Sequence, residues 1–451
     1  MSRTRPERGA RRRRGRVTTQ QAVLRRRPVV AWALYDWANS AFACTVMAGF
    51  FPVFFKQYWN AGVVATESTF RLGLTSGIAS LLVAVLAPVL GAIADRSSSR
   101  LRLLFAFTLL GSVATLALAF VPQGQWAVAA GLFLLASLGF WGGIVFSDSL
   151  LLHVAEPEEY DLVSGFGYAL GYLGGGLLFA GNVLMTQRPE WFGLANAAEA
   201  VRWSFVTVGI WWLLFALPCV LWVKERPFGT AAQGRRVSWR QATREGFVEL
   251  AHTVGEIRKY RPLVWFLAAY ILYIDGVNTV IKMAVDYGLS LGFDQSHLVK
   301  ALLLTQFVAF PAALAFGWLG ARIGARNGIF LALAVYLGAT GYAYFLDDAG
   351  DFYLLAFVVG LVQGGIQSLS RSYYGRLVPR DKSSEFFGFY NMMGKASAII
   401  GPTLVGITAA VTGDSRLSIL SIIVLFVAGA ALLVVARRAE QGARAATYPD
   451  R

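Results

Sequence analysis

Cysteine and histidine are almost missing from this chain of 451 residues, which has two of the first and three of the second. Cys44 and Cys219 both fall inside apolar runs, which excludes a disulfide framework and a Cys-x-x-Cys redox pair. His153, His252 and His297 are scattered and lack metal-ligand spacing, so no metal site is expected. Charge is scarce as well: 15% of residues are charged, against about 25% in soluble domains. The chain has no nucleophile elbow and no paired surface carboxylates, so an integral-membrane enzyme has no residues to start from. Two glycine-rich stretches imitate nucleotide loops. Gly165-Phe-Gly167 follows an acidic loop rather than a strand, and Gly388 to Gly394-Lys395-Ala396 has Ala where Ser or Thr belongs. No cofactor is expected.

What is abundant is apolar sequence. Hydrophobic residues make up 56% of the chain, and uncharged stretches recur from Val29 to Ala436. A helix needs about twenty residues, at about 1.5 Å each, to cross the hydrocarbon core. The pattern predicts an all-α integral membrane protein with spans at 29–55, 71–94, 103–121, 126–148, 162–185, 204–223, 262–288, 298–320, 328–346, 352–371, 384–411 and 416–436. Nothing alternates at period two, as barrel strands would.

The net charge of +15 is concentrated at one end, with eleven arginines among the first 27 residues. Residues 1–28 read as a disordered basic tail beside anionic lipid. No folded reader and no interleaved aromatics follow, so nucleic acid is not an expected partner. An Arg-rich, acid-poor tail also has the composition of an organelle presequence, whereas the first apolar run is too long for a cleaved secretory signal. With the N-terminus inside, 33 Lys and Arg lie on the inner side and six on the outer. By the positive-inside rule both termini are cytoplasmic, and a bacterial inner membrane is the expected location. Residues 224–261 divide six spans (29–223) from six (262–436), and 437–451 form a second tail. Within 224–261, Ser238 and Gln241 have capping-box spacing, and Phe247, Leu250, Val254 and Ile257 form an apolar stripe suited to an interfacial helix.

The halves echo each other. Asp36-Trp-Ala-Asn39-Ser40 in span one matches Asp275-Gly-Val-Asn278-Thr279 in span seven. Gly91-Ala-Ile-Ala-Asp95-Arg96-Ser-Ser-Ser-Arg100 matches Gly317-Trp-Leu-Gly-Ala321-Arg322-Ile-Gly-Ala-Arg326. Gly165-Phe166 and Gly171 in span five match Gly388-Phe389 and Gly394 in span eleven. Three matches in one order argue for a duplicated six-helix unit.

The loop at Gly91–Arg102 resembles the G-x-x-x-D-R-x-G-R-R motif of the major facilitator superfamily, with Ser98 in place of the second Gly. Trp32-Ala-Leu-Tyr35-Asp36-Trp37-Ala-Asn39-Ser40-Ala-Phe42 is similar to the signature of the vacuole-effluxer-like permeases. So are Tyr273-Ile-Asp275-Gly-Val-Asn278-Thr279 and Gly364-Gly365-Ile-Gln367-Ser-Leu-Ser370-Arg371. The resemblance covers nearly the whole chain. It implies the major facilitator fold, secondary transport, and a central path lined by spans one, four, seven and ten. It also implies a gating role for Gly91, Asp95, Arg96 and Arg100. Ala321 stands where the second half would carry an acid, which leaves that role to the first half.

Charges within a bilayer cost about 2.5–3.5 kcal/mol each on insertion scales, so each needs a reason. Asp275, Lys282 and Asp286 share one stripe of span seven, beside Asn278, and that stripe must face a cavity or another polar helix. Asp36 and Asn39 share a face of span one. Gln363, Gln367 and Ser370 share a face of span ten, which ends in Arg371 at the inner surface. Asn391 and Lys395 lie four apart in span eleven. The candidates for binding solute or proton are therefore Asp36, Asn39, Asp275, Asn278, Lys282, Gln363, Gln367, Asn391 and Lys395, with Arg371 grouped with the gate. A permanent ion pair, such as Asp36 with Lys395, is the competing explanation. The expected activity is alternating-access transport of a small polar solute, an amino acid or similar zwitterion, with protons as a coupling ion and the chain acting as a monomer in the bilayer. A drug or metabolite efflux pump of the same fold is the nearest alternative, and a lipid translocase or integral-membrane enzyme the alternative from another class.

Overall fold

A computed structural model describes residues 21–226, 260–396 and 400–447. The basic tail before residue 21, the expected interfacial helix with Ser238 and Gln241, and the last four residues lie outside them. Among the described residues, twelve helices are long and apolar enough to cross a membrane. Six run in the first half: Arg27–Trp59, Phe70–Ser97, Arg100–Leu118, Trp126–Val154, Tyr160–Gln187 and Ala197–Trp222. In the second half spans seven to ten are Arg261–Ser290, Gln295–Ile323, Ala325–Tyr342 and Ala349–Leu377. Span eleven is described as Ser383–Ala396 and Ile400–Thr412, and span twelve as Ile423–Thr447. Residues 437–447, expected as tail, therefore continue span twelve as helix.

Two boundaries differ in a way that matters. Spans four and ten were expected to end at Asp148 and Arg371, because charge usually marks the edge of the hydrocarbon. Both helices run on, to Val154 and Leu377. The two charges therefore lie within the spans and are buried, with Asp148 4% and Arg371 2% exposed. Span one also departs from a regular helix. Its Phe42–Phe50 stretch is π-helical, a distortion that concentrates at functional sites.

An even number of spans among the described residues puts residues 21 and 447 on one face, called the termini face below. Near that face the halves cross twice, and each crossing has a glycine on both helices. A Cβ on Gly91 of span two would stand 2.3 Å from the Ser384 carbonyl oxygen of span eleven, and one on Gly388 2.7 Å from that of Ala87. On the other side, a Cβ on Gly165 of span five would be 2.8 Å from Gly317 Cα of span eight. Close backbone approach without side chains is how membrane helices gain packing contacts when lipid offers no hydrophobic drive. These are the glycines that mark the repeat in the sequence. Toward the opposite face, Ile400–Thr412 packs on span seven and on the short helix Ser415–Leu420.

Span two ends at Ser98, whose φ is +49°. The superfamily motif has glycine at this left-handed position, where an L side chain costs about 1–2 kcal/mol. Ser98→Gly is therefore expected to raise the melting temperature in detergent. Gly388→Val is expected to lower it, since overpacking there costs about 1–3 kcal/mol of stability. Gly181→Val, facing open space in span five, is expected to leave it unchanged.

Candidate functional site

Between the halves lies a cavity of about 300 Å³, with walls from spans one, four, five, seven, eight and ten. Asp36, Asn39, Gln363, Gln367 and Arg371 all line it, together with Asp148, Tyr168, Tyr172 and Gln306. Its charged end faces the termini side. Cys44 and Ala48 of span one and Leu302 of span eight carry the walls toward the opposite face.

Arg371 organises the charged end. Its Nη1 and Nη2 donate to Asp36 Oδ2, both at 3.2 Å, and Nη1 also donates to Asp148 Oδ1 at 3.0 Å. Nε donates to Ser164 Oγ at 2.9 Å and Nη2 to the Ser164 carbonyl at 3.1 Å. A guanidinium has five N–H donors, and these five contacts match them. The aromatic rings of Trp32 and Tyr168 lie 4.7 and 4.3 Å from its centre. Trp32 is held in turn by its indole N–H to the Ser147 carbonyl, at 2.7 Å. Gly167 makes the pair possible, because a Cβ there would fall 2.6 Å from Asp36 Oδ2 and 3.0 Å from Arg371 Nη2.

The two carboxylates are not equivalent. Asp148 is anchored at both oxygens, Oδ1 by Arg371 and Oδ2 by Asn391 Nδ2 at 3.1 Å. Asp36 uses only Oδ2, and its other oxygen accepts no hydrogen bond among the described residues. The Asn39 amide nitrogen and the Gln306 amide oxygen are likewise buried without partners among the described residues. Gln367 accepts from Tyr172 Oη at 2.7 Å.

Several expectations change here. Arg371 is not at the inner surface but at the charged end of the cavity. It, and not Lys395, is the partner of Asp36. The Lys395 ammonium lies over the ring of Trp141, itself a cavity residue. Asp275 is fully buried but does not line this cavity. Its carboxylate accepts from the Gly401 N–H of span eleven at 2.5 Å. Of the two surroundings its stripe allowed, Asp275 thus faces another helix, span eleven. Asn278 is half-buried and also off the cavity wall, while the Lys282 and Asp286 side chains lie outside the described residues. Asp148 was missed because its charge was read as the end of span four. The signal that finds it is the match of Ser147-Asp148-Ser149 with Ser370-Arg371-Ser372, in the register set by Gly165 and Gly388.

On the termini face, polar contacts close the cavity. Asp95 accepts from the backbone N–H groups of Ser384 and Glu385, both at 2.9 Å, capping span eleven. Such caps contribute about 0.5–2 kcal/mol. Arg100 donates to Asp95 at 2.5 Å and to Ser384 Oγ at 2.8 Å, and pairs with Glu225 at 3.3 Å. Arg96 is half-buried beside them. The acid absent at Ala321 reappears on the facing helix. Asp161 of span five occupies the repeat position of Ser384, lies against Gly320, and pairs with Arg376 at 2.7 and 2.8 Å and with Ser372. The second half thus keeps the contact with acid and loop exchanged. Glu156 bridges Arg226 and Arg380 at 2.6 and 3.1 Å, and those hydrogen bonds hold its carboxyl below the usual range. Its stabilising effect is present above the ordinary carboxylate pKa and is lost as pH falls through the depressed one. Solvent exposure keeps that effect small.

Two six-span halves around a central polar cavity, closed on one face, define a solute transporter of the major facilitator fold. The chain belongs to the family described as vacuole effluxer Atg22 like, which it matches over residues 62–447. It is 37% identical to an uncharacterized MFS-type transporter, YxiO, of Bacillus subtilis (strain 168), covering 89% of this chain and 93% of that protein. It is 23% identical to autophagy-related protein 22 of Coccidioides immitis (strain RS), covering 93% of this chain and 88% of that one. The crystal structure of the human organic anion transporter MFSD10 shares the fold at a TM-score of 0.68 and 14% identity, over 90% of this chain and 99% of that one.

Asp275→Ala is expected to lower the melting temperature, because the Gly401 N–H loses its acceptor. Transport per folded molecule is expected to stay unchanged, as read by uptake normalised to monodisperse protein.

Proposed function

We propose that this protein moves a small zwitterionic solute, an amino acid or a close relative, by alternating access, and that protons compete with the solute for Asp36. The observation that carries this reading is a buried guanidinium with every donor engaged, shared between a fixed carboxylate, Asp148, and one with an open oxygen, Asp36. A solute carboxylate reaches Arg371 by replacing Asp36, which releases two donors at once. The displaced Asp36 then takes the solute ammonium. A proton on the displaced Asp36 removes the partner of the solute ammonium, so proton and solute exclude one another and exchange is the favoured coupling. Asn39, as donor, and Gln306, as acceptor, supply the remaining polar contacts. Their unmet hydrogen-bonding capacity supports a polar occupant, since a buried polar group without a partner costs about 1–3 kcal/mol.

With the termini cytoplasmic, as the distribution of Lys and Arg favours, the closed face is the cytoplasmic one and the cavity extends away from the cytoplasm. Opening inward then requires Asp95 to leave the start of span eleven and Asp161 to leave Arg376. Rocking of one half against the other around a midplane site is the usual form of this motion.

The test is uptake of a labelled L-amino-acid mixture into proteoliposomes with pH gradients of either sign. An acid interior is expected to drive accumulation in the wild type, and Asp36→Asn, folded normally, is expected to lose the response to the gradient. No uptake of any amino acid would reject the solute class. Uptake and coupling unaffected by Asp36→Asn would move the site elsewhere.

A further inference from the structure

The repeat has a register within which the central ion pair takes on a second meaning. Spans four and ten are Trp126–Val154 and Ala349–Leu377, 29 residues each, with both ends in step. The helices that follow begin at Tyr160 and Ser383, in the same step. In this register Asp148 corresponds to Arg371, Tyr168 to Asn391 and Tyr172 to Lys395. Asp148 and Arg371 are thus the same position of the ancestral unit, carrying opposite charges and bonded to each other at 3.0 Å. Their supporting neighbours are repeat mates too. The Tyr168 ring lies on Arg371, and Asn391 donates to Asp148.

We infer that this pair sets the polarity of the cavity, with Asp148 as the positioning residue that holds Arg371 in place for the solute. The inference rests on the zwitterion reading above. The first half contributes acid and aromatic rings, through Asp36, Asp148, Tyr168 and Tyr172. The second contributes cation and amide, through Arg371, Gln306, Gln363 and Gln367. A zwitterion lying across such a boundary has one favoured direction, its amine toward the first half and its carboxylate toward the second. Asp148 does not touch the solute in this scheme, because both its oxygens are committed. It fixes the guanidinium that does, and does so across the plane on which the halves move.

The experiment measures concentration-dependent uptake of the labelled amino-acid mixture, with amino-acid methyl esters and N-acetyl amino acids as competitors and melting curves for every variant. Wild type is expected to reject both blocked forms. Asp148→Asn is expected to raise KM about tenfold with kcat near wild type, and to tolerate the methyl ester better because Arg371 is no longer fixed. Asp148→Glu is expected to restore most of the affinity. The exchanged pair, Asp148→Arg with Arg371→Asp, is expected to melt above either single reversal and yet transport no amino acid. Wild-type KM in Asp148→Asn, or full uptake by the exchanged pair, would overturn the inference. So would a loss that follows only the amount of folded protein. If the exchanged pair does not fold, the Asn and Glu variants decide. Absence of uptake by the wild type would instead reject the solute class, and the polarity with it.

Discussion

A guanidinium cannot sit inside a membrane protein unless each of its N–H groups is met and its charge is balanced, and the centre of this molecule is arranged around that requirement. Arg371 draws span one through Asp36, span four through Asp148 and span five through both polar atoms of Ser164. Four helices from two halves are therefore tied at one point. Breaking a buried pair by removing one partner costs about 3–5 kcal/mol, because the remaining charge is left without compensation. On the reading proposed above, the same cost makes the point a switch: a solute that loads there must supply an anion where it displaces one, and a solute with a carboxylate and an amine does both.

The contacts between the halves on the termini face obey the same logic at lower stakes. On one side of the termini face the loop supplies the acid, Asp95, and the facing helix supplies backbone N–H groups. On the other side the helix supplies the acid, Asp161, against a loop of small residues and an arginine from span ten. Glycine at both crossings lets the backbones come close enough for these contacts to form. The two sides are thus alike in geometry and exchanged in chemistry, as the central pair is. Duplication supplied two copies of each position, and opposite charges at mated positions turn the symmetry axis into a bonded interface.

Much of this was legible in the sequence. The twelve spans, the two halves and the motif glycines follow from apolar runs and spacing, which report on lipid exposure and close packing wherever they occur. Asp36, Asn39, Gln363 and Gln367 line the cavity, and polar residues sharing one face of a span point to such a wall. The centre was harder. Asp148 and Arg371 each sit six residues inside a helix end, where a charge looks like the edge of the membrane. Only their partnership explains why they are not at the edge. Asp275 misled in the opposite sense. Its stripe demanded a polar neighbour, and periodicity does not distinguish a cavity from a backbone N–H on a neighbouring helix.

The most direct test of the central claim is an experimental structure of the protein with an amino acid bound. The account predicts the solute carboxylate on Arg371, Asp36 turned away to the solute amine, and Asp148 still on Arg371 and Asn391. A solute bound elsewhere in the cavity, with Arg371 still holding both carboxylates, would contradict it.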